Sequence, residues 1–169
     1  MWNKIVDLFK RIKPYILPYA VAIAIPMTVS LISAMLTKDN MKVYSELNSP
    51  LLSPPAILFP IVWSILYILM GISSAMIFIV KEKNPGSAKK GFMWYAVSLV
   101  LNFSWSIIFF NMQAAFFALI VIIALLYTII KTILEYRKVK PLASYLQIPY
   151  ALWVAFAAYL NAGIWLLNS

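Results

Sequence analysis

The chain contains no cysteine and no histidine, and only five of its 169 residues are acidic. Without cysteine it has no disulfide, no thiolate metal site and no cysteine nucleophile. Without histidine it lacks a histidine-based triad, a haem axial histidine and the usual zinc ligands. No carboxylate lies at the centre of an apolar run, so the spans offer few groups that could act as acid, base or metal ligand in hydrolysis. The sequence therefore predicts no metal site and no required cofactor.

Apolar residues are what the chain has in excess. They make up 64% of it, against 11% charged residues, and the mean hydropathy is +0.89. A single soluble domain cannot hide that much apolar surface, so lipid must be the solvent for most of it. The net charge of +9 does not indicate a nucleic-acid partner, because the basic residues lie at the ends of apolar runs, as membrane anchors do.

Five apolar runs are each close to the ~20 residues that a helix needs to cross the hydrocarbon core. They are continuous, which disfavours a membrane β-barrel of alternating ten-residue strands. The sequence thus predicts an all-α integral membrane protein, a bundle of five transmembrane helices within residues 15–169. The predicted spans are about 15–37, 55–80, 92–111, 113–134 and 143–167.

The basic residues predict the orientation. Twelve of the fourteen lie on the side that holds the N-terminus, and the other side carries Lys38 and Lys42. The positive-inside rule then places the N-terminus inside and the C-terminus outside. Lys131 lies within the fourth span near its inner end. We expect it to snorkel to the interface, with a functional intramembrane lysine as the alternative.

Two segments lie outside the spans. Residues 1–14 form an amphipathic segment predicted to lie in the inner headgroup region, with its apolar side chains on one face. Those side chains are Trp2, Ile5, Val6, Phe9 and Ile12. The first loop, roughly residues 38–54, is the longest connection and carries Tyr44. It is either a lid over a membrane pocket or a plain connector.

The second span carries more polar and aromatic groups than lipid alone requires. Ser53 is placed to cap its helix, with Pro54 and Pro55 in the first turn, where proline is tolerated. Four side chains then share one face at spacings of four, four and three. They are Phe59, Trp63, Tyr67 and Met70. Such a stripe is commonly packing or an interfacial belt, but Trp63 lies deeper than a belt position.

Two other spans repeat this pattern. The third presents Tyr95, Ser98, Asn102, Trp105 and Phe109, and the fifth presents Pro149, Trp153, Ala157 and Asn161. Asn102 lies mid-span, where its amide needs another helix, a water or a ligand as partner. The fourth span is almost uniformly aliphatic from Phe116 to Leu126, so we expect it to face lipid or a sister subunit.

Three converging faces of this kind would wall a cavity with indoles and a few hydrogen-bonding groups. Such a cavity suits a flat, largely apolar, aromatic ligand. It does not suit an ion path, which needs buried carboxylates or a carbonyl filter.

Three motifs in order resemble the TspO/translocator protein family, also called the tryptophan-rich sensory protein or peripheral-type benzodiazepine receptor family. The first is Ser-Pro-Pro (53–55) followed by Val-Trp-x-x-Leu-Tyr-x-x-Met-Gly (62–71). The second is Leu-Asn-Phe-x-Trp-x-x-x-Phe-Phe (101–110). The third is Pro-Tyr-x-x-Trp-x-x-Phe-Ala-x-x-Leu-Asn (149–161).

The resemblance implies a five-helix bundle, often a homodimer, with a pocket under the first loop. That pocket would bind porphyrins such as protoporphyrin IX, and in some members benzodiazepine-like drugs or sterols. With the stripe residues added, the predicted ligand-binding set is Tyr44, Pro54, Phe59, Trp63, Tyr67, Ser98, Asn102, Trp105, Trp153 and Ala157. The resemblance also allows a structural role for Trp105.

The chain departs from the family pattern around the first loop. Leu52 and Ile57 stand where the family has tryptophans, and Ser98 where it often has glutamine. The family's C-terminal sterol-recognition residues correspond to Ala162 and Leu166, so no sterol site of that kind is predicted.

The leading hypothesis is a porphyrin-binding membrane receptor of sensory or regulatory type, located in a bacterial cytoplasmic membrane. A mitochondrial outer membrane is the alternative location. One alternative function is light- and oxygen-dependent porphyrin degradation, in which Trp63 and Trp153 would pass electrons. Another is transport or chaperoning of lipophilic metabolites.

Overall fold

Six α-helices account for most of the residues that the structure describes. The computed structural model describes residues 2–40, 44 and 47–168, with side chains from residue 16 onward. The helices are α1 (Trp2–Thr37), α2 (Leu58–Val80), α3 (Pro85–Ser106), α4 (Ala115–Val139), α5 (Pro141–Tyr145) and α6 (Ile148–Asn168). A 3-10 turn (Lys81–Lys83) follows α2, and a π-helical turn (Ile107–Asn111) extends α3. No strand occurs within the described residues, which confirms the all-α prediction.

Five segments are long and apolar enough to cross a membrane, as predicted. They are Ile16–Thr37, Leu58–Lys83, Pro85–Asn111, Ala115–Val139 and Pro141–Asn168. Large apolar side chains cover the exterior of the bundle, as lipid-facing surfaces require. We call the end where α1 finishes and α2 begins the loop end. We call the opposite end, where α2, α3, α4 and α5 meet in short turns, the basic end.

The start of the second helix differs from the prediction. Helix α2 begins at Leu58, and Ile57 precedes it without a side-chain cap. Ser53 does not cap this helix, because its hydroxyl donates to the carbonyl of Pro50 at 2.8 Å instead. A serine next to a turn bonds locally to backbone as readily as it caps a helix. Pro54 and Pro55 accordingly lie in an irregular stretch before the helix.

Two other boundaries lie beyond the predicted ones. Residues 83–87 read as a turn, yet α3 already begins at Pro85, since the Asn84 side chain accepts from the Ser87 amide and proline fits the first helical turn. Helix α4 continues past residue 134 to Val139. The ion pair between Glu135 and Lys138, at 2.7 Å, lies on this last turn.

The N-terminal segment is continuous with the first span, since α1 runs unbroken from Trp2 to Thr37. The predicted apolar face of residues 2–13 falls on side chains outside the described ones. The interfacial role of residues 1–14 therefore stays a prediction.

Helices α1 and α2 approach each other most closely at a glycine. A Cβ atom built on Gly71 would lie 2.4 Å from the Cα of Ile23, which is closer than any side chain permits. At the basic end Gly91 plays the same part between α3 and α4. A Cβ there would lie 2.6 Å from the ring of Tyr136. Small residues at these contacts bring the helix backbones together, as membrane helices require.

Helix α4 has two faces. One packs against α3 and α6 and buries Ala118, Ile122, Leu125 and Ile129. The other exposes Phe117, Ile120 and Ile123 to the surroundings of the bundle. The expectation that this span faces lipid or a sister subunit therefore applies to one face only.

Lys131 does not extend toward the basic end. Its ammonium group lies 5.2 Å from the ring centroid of Tyr127, at the middle of α4. Side chains on a helix lean toward its N-terminus, which for this helix is the loop end. The cation–π contact adds to that tendency. Snorkelling of Lys131 to the interface stays a prediction.

Candidate functional site

A cavity of about 220 Å³ lies in the loop-end half of the bundle, between α1, α2, α3 and α6. Eight of the ten predicted ligand-binding residues line it. They are Tyr44, Phe59, Trp63, Tyr67, Asn102, Trp105, Trp153 and Ala157. The predicted convergence of three aromatic faces therefore occurs in the folded chain.

Helix α2 supplies the longest wall of this cavity. Trp63 and Tyr67, one helical turn apart, stack with ring centroids 5.3 Å apart and planes 26° apart. The indole also meets the edge of Tyr150 on α6, with centroids 6.1 Å apart. Offset stacking of this kind fixes the ring orientations and presents a flat face to the cavity.

The floor of the cavity is a hydrogen-bonded pair. Asn102 Nδ2 donates to the hydroxyl of Tyr67 at 2.8 Å, which joins α3 to α2. Both side chains are buried. Of the partners open to the mid-span amide of Asn102, the structure shows a side chain of another helix. Because the Tyr67 oxygen accepts here, its own hydroxyl proton is available for a second bond.

Trp105 contributes a ring to the wall, but its polar group is used in the fold. Its Nε1 donates to Asn161 Oδ1 at 3.0 Å, and Asn161 Nδ2 donates to the carbonyl of Ala115 at 2.8 Å. This chain of bonds connects α3, α6 and the start of α4. It gives Trp105 the structural role that the sequence left open.

Trp153 and Tyr44 complete the wall nearest the first connection. Phe59 lies between them, with its ring centroid 5.3 Å from that of Tyr44 and 5.9 Å from that of Trp153. Trp153 Nε1 and the Tyr44 hydroxyl are buried atoms with no hydrogen-bond partner among the described residues. Buried polar atoms normally have partners, so these two are the groups of the wall that a ligand can satisfy.

Two predicted site residues lie elsewhere. Pro54 is half-buried in the first connection and does not line the cavity. Ser98 is buried at the level below the floor, where its hydroxyl donates to the carbonyl of Tyr95 at 2.7 Å. Neither reaches the space that the other eight enclose.

Sequence reasoning missed the contribution of α1. Four small side chains on one helical face complete the cavity: Ser30, Ser33, Ala34 and Thr37. Their spacing of three, one and three residues places them on one face of the helix. A face of small residues in a membrane helix indicates close packing against a neighbouring helix. Thr37 uses its hydroxyl within the helix, donating to the carbonyl of Ser33 at 2.9 Å.

The π-helical turn at the end of α3 was also not predicted. It brings Phe109 and Phe110 to the cavity together, although neighbours on an α-helix normally diverge by about 100°. Asn111 secures this turn by donating to the carbonyl of Leu36 at 3.0 Å and accepting from Asn40 Nδ2 at 3.0 Å. The insertion of one residue leaves no periodic signal in a uniformly apolar segment.

The first connection is fastened to α6. The Asn168 side chain accepts from the amide of Asn48 and donates to its carbonyl, both at 2.9 Å. Tyr159 donates to the carbonyl of Leu51 at 2.8 Å. Pro50 fills the space beside Gly163, where a Cβ atom would lie 2.6 Å away. The segment is therefore docked on the bundle, next to the wall formed by Tyr44.

The two loop positions that lack family tryptophans lie outside the cavity. Leu52 is 80% exposed and Ile57 is 68% exposed. Leu52 also adopts a left-handed backbone conformation, with φ of 69°. The cavity described here is thus complete without an indole at either position.

A second cleft, of about 410 Å³, lies at the same end, between the start of α4 and the end of α6. Its lining includes Gln113, which is exposed, and Asn168, whose amide is already bonded to Asn48. With its polar side chains exposed or already paired, the cleft is a weaker candidate than the aromatic cavity.

No charged side chain lines the cavity within the described part of the chain. The same residues contain no cluster of metal-ligating side chains. The cavity thus offers aromatic faces, hydroxyls and an indole N–H, all of them neutral. This arrangement can hold an uncharged ring system by stacking and by donated hydrogen bonds.

Comparison with known proteins assigns the family. The model of the TspO/MBR family matches residues 22–166. The chain belongs to the TspO/MBR family. It is 40% identical over 125 residues to the tryptophan-rich protein TspO of Chlorobaculum tepidum, covering 74% of this chain and 78% of that one.

Other TspO/MBR relatives come from distant organisms. Protein CrtK of Rhodobacter capsulatus is 34% identical over 125 residues, 74% of this chain and 78% of the relative. The translocator protein of Ovis aries is 32% identical over 130 residues, 75% of each chain. Membership of this family, together with the five spans, establishes an integral membrane protein whose surroundings are a lipid bilayer.

Proposed function

We propose that this TspO/MBR protein is a membrane-embedded binding protein for porphyrins and similar flat, apolar ring systems. The observation that carries the proposal is the aromatic cavity with two unsatisfied polar atoms, Trp153 Nε1 and the Tyr44 hydroxyl. Rings stack on Trp63, Tyr67 and Trp153, and acceptor atoms of the ligand take the free hydrogens. A relative in Cereibacter sphaeroides bears the name tryptophan-rich sensory protein, which supports a sensory role.

The size of the cavity limits how the ligand binds. Its 220 Å³ is below the roughly 300–1,000 Å³ of sites that enclose drug-sized molecules. A tetrapyrrole must therefore leave part of its ring outside, or displace the first connection from α6. We propose that the ligand displaces the first connection from α6, so that this segment acts as a lid.

The test is a titration of the purified protein with protoporphyrin IX, followed by tryptophan fluorescence. We expect saturable quenching that weakens strongly in a Trp63→Phe, Trp153→Phe double variant. Trp94→Phe is the matched control, because this indole packs against Tyr127 and does not line the cavity. Equal quenching of the double variant and the control would show that protoporphyrin IX does not bind in the aromatic cavity.

The stacked pair of Trp63 and Tyr67 favours a second candidate, light-dependent degradation of the bound porphyrin. Trp63, stacked on Tyr67, would pass an electron to the excited porphyrin, which would pass it to dioxygen. The indole radical would then recover an electron from the porphyrin, so that the protein is regenerated. The porphyrin radical cation and superoxide would combine and open one methine bridge as two carbonyls, with dioxygen as the oxidant and both of its oxygen atoms in the product. The test is illumination of the complex in air. A new product band that disappears in Trp63→Phe supports degradation, and bleaching at the rate of free porphyrin opposes it.

We further propose that the basic end faces the cytoplasm of a bacterial cell, with the C-terminus outside. Seven described cations lie at that end, from Lys81 to Lys140, and Lys38 at the other. The chain has no cysteine, so single cysteines can report the orientation. In intact cells a membrane-impermeant maleimide should label Leu51→Cys and not Glu82→Cys. The reverse pattern would invert the orientation.

We also propose a homodimer, as the family resemblance implies. Analytical ultracentrifugation in detergent of matched density should give the mass of two chains. A single-chain mass across the accessible concentration range would exclude it.

A further inference from the structure

A second group of polar side chains lies below the cavity floor, toward the basic end. Six buried hydroxyls from four helices meet there, and we call them the hydroxyl cluster. They are Ser73 and Ser74 of α2, Tyr95 and Ser98 of α3, Tyr136 of α4 and Tyr150 of α6. All lie within membrane-spanning segments, where no bulk water can satisfy them.

Four of the six have protein partners. Ser73 donates to the carbonyl of Ala143 at 2.7 Å and accepts from Gln147 Nε2 at 3.2 Å. Ser74 and Tyr136 share a bond at 3.2 Å. Ser98 donates to the carbonyl of Tyr95 at 2.7 Å.

The other two do not. The hydroxyls of Tyr95 and Tyr150 have no hydrogen-bond partner among the described residues, although the side chains are only 6% and 1% exposed. Their polar neighbours are Ser74 for Tyr95 and Ser98 for Tyr150, and the two tyrosines also neighbour each other. Ser74 and Ser98 lie close enough to influence these phenols, but neither serine meets the distance and angle of a hydrogen bond to its tyrosine.

Two adjacent unsatisfied hydroxyls would be costly in such an interior. A hydroxyl moved from water into an apolar medium without a partner costs about 2–7 kcal/mol. Buried waters resolve such cases in proteins, and each makes about three hydrogen bonds. Tyr95, Tyr150 and the spare lone pairs of Ser74 and Ser98 supply enough donors and acceptors for a bridging water.

We propose that Tyr95 and Tyr150 hold an internal water site, separate from the ligand cavity. The water accepts from one phenol, donates to the other, and bonds Ser98 or Ser74 with its remaining capacity. Tyr67 of the cavity floor also neighbours both tyrosines. The site therefore continues a line of polar groups from Tyr136 to the pair of Tyr67 and Asn102.

The sign of a stability change tests this site. Tyr95→Phe and Tyr150→Phe keep the ring and remove only the oxygen. If the hydroxyls are bridged by water, each variant loses hydrogen bonds and its thermal midpoint in detergent falls by a few degrees. If they are dry and unpaired, removing a buried polar atom relieves a penalty and the midpoint rises. A rise in both variants, or no change, overturns the proposal.

Tyr127→Phe is the matched control for these variants. Its ring is 53% exposed on the surface of α4 and outside the cluster, so its midpoint should not move. Porphyrin affinity of Tyr95→Phe should also stay within a factor of two, because this residue does not line the cavity.

A second measurement separates water from a direct bond formed by a rotated side chain. Hydroxyl radicals generated by a synchrotron pulse label side chains next to ordered water, even buried ones. After correction for intrinsic reactivity, Tyr95 and Tyr150 should be labelled well above Leu125, a core side chain that is 1% exposed. Labelling of both tyrosines at the rate of Leu125 overturns the water site.

Discussion

The amide of Asn102 donates to the hydroxyl of Tyr67 at 2.8 Å, and this bond closes the floor of the aromatic cavity. It joins α3 to α2 within their membrane-spanning segments, where each partner depends on the other for a hydrogen bond. The pair therefore braces two helices and lines the cavity at once.

Breaking one side of this pair should cost more than removing both. Tyr67→Phe leaves the buried Asn102 amide without its acceptor, so we expect a loss of about 1–3 kcal/mol of stability. A Tyr67→Phe, Asn102→Leu double variant should recover part of that loss, because no unsatisfied group remains. Thermal unfolding in detergent of the four members of this cycle measures the coupling. Strictly additive effects would show that the bond does not contribute.

Trp105→Phe should destabilise the bundle even though the ring is largely kept. The variant loses the bond to Asn161 at 3.0 Å, which in turn holds the start of α4. A loss of about 1–2 kcal/mol is expected for one buried side-chain hydrogen bond and its relaxed neighbour. Trp94→Phe serves as the control, and a midpoint shift equal to that of the control would contradict the bracing role.

Gly71→Ala tests the close approach of α1 and α2. The added methyl would lie 2.4 Å from the Cα of Ile23, so the two helices must separate. Because α1 supplies one cavity wall, both the thermal midpoint and porphyrin affinity should fall. Gly86→Ala is the matched control, since a methyl there meets nothing closer than 4.0 Å and alanine favours the helix. Parallel behaviour of the two variants would show that the helices are not in tight contact.

Releasing the first connection should change the rates of ligand exchange. Asn168→Ala removes the two bonds that hold Asn48, each of 2.9 Å, and lies outside the cavity. We expect association and dissociation of protoporphyrin IX to accelerate together by several-fold in stopped-flow fluorescence, with a smaller change in affinity. Leu51→Ala, at an 85% exposed side chain, should exchange ligand at the original rates. Unchanged rates in Asn168→Ala would favour a plain connector over a lid.

The neutral lining predicts how a porphyrin is oriented. No cation among the described cavity residues is available to a carboxylate, so the acidic edge of the ring must stay outside the cavity. The dimethyl ester of protoporphyrin IX should then bind within a factor of about ten of the free acid, a difference below ~1.4 kcal/mol. A much weaker ester would show that a buried cation meets the carboxylates.

The sequence by itself determined the number of spans, their approximate limits and the aromatic faces. Hydrophobic length and helical spacing are local properties, and they place Trp63, Asn102 and Trp153 without knowledge of neighbouring helices. The family motifs were local as well, because each lies within one span.

Only the tertiary structure decided which polar side chains form hydrogen bonds within the protein and which have no partner among the described residues. Asn102 and Trp105 were both predicted from the third span to line the cavity. In the structure Asn102 donates to Tyr67 beside the cavity, whereas the Trp105 indole donates to Asn161. Ser53 bonds its own turn, and Ser98 turns below the floor instead of into the cavity. A side chain finds its partner across helices through rotation and depth, which span length and spacing do not specify. The contribution of α1 and the unsatisfied indole of Trp153 depend on that same packing.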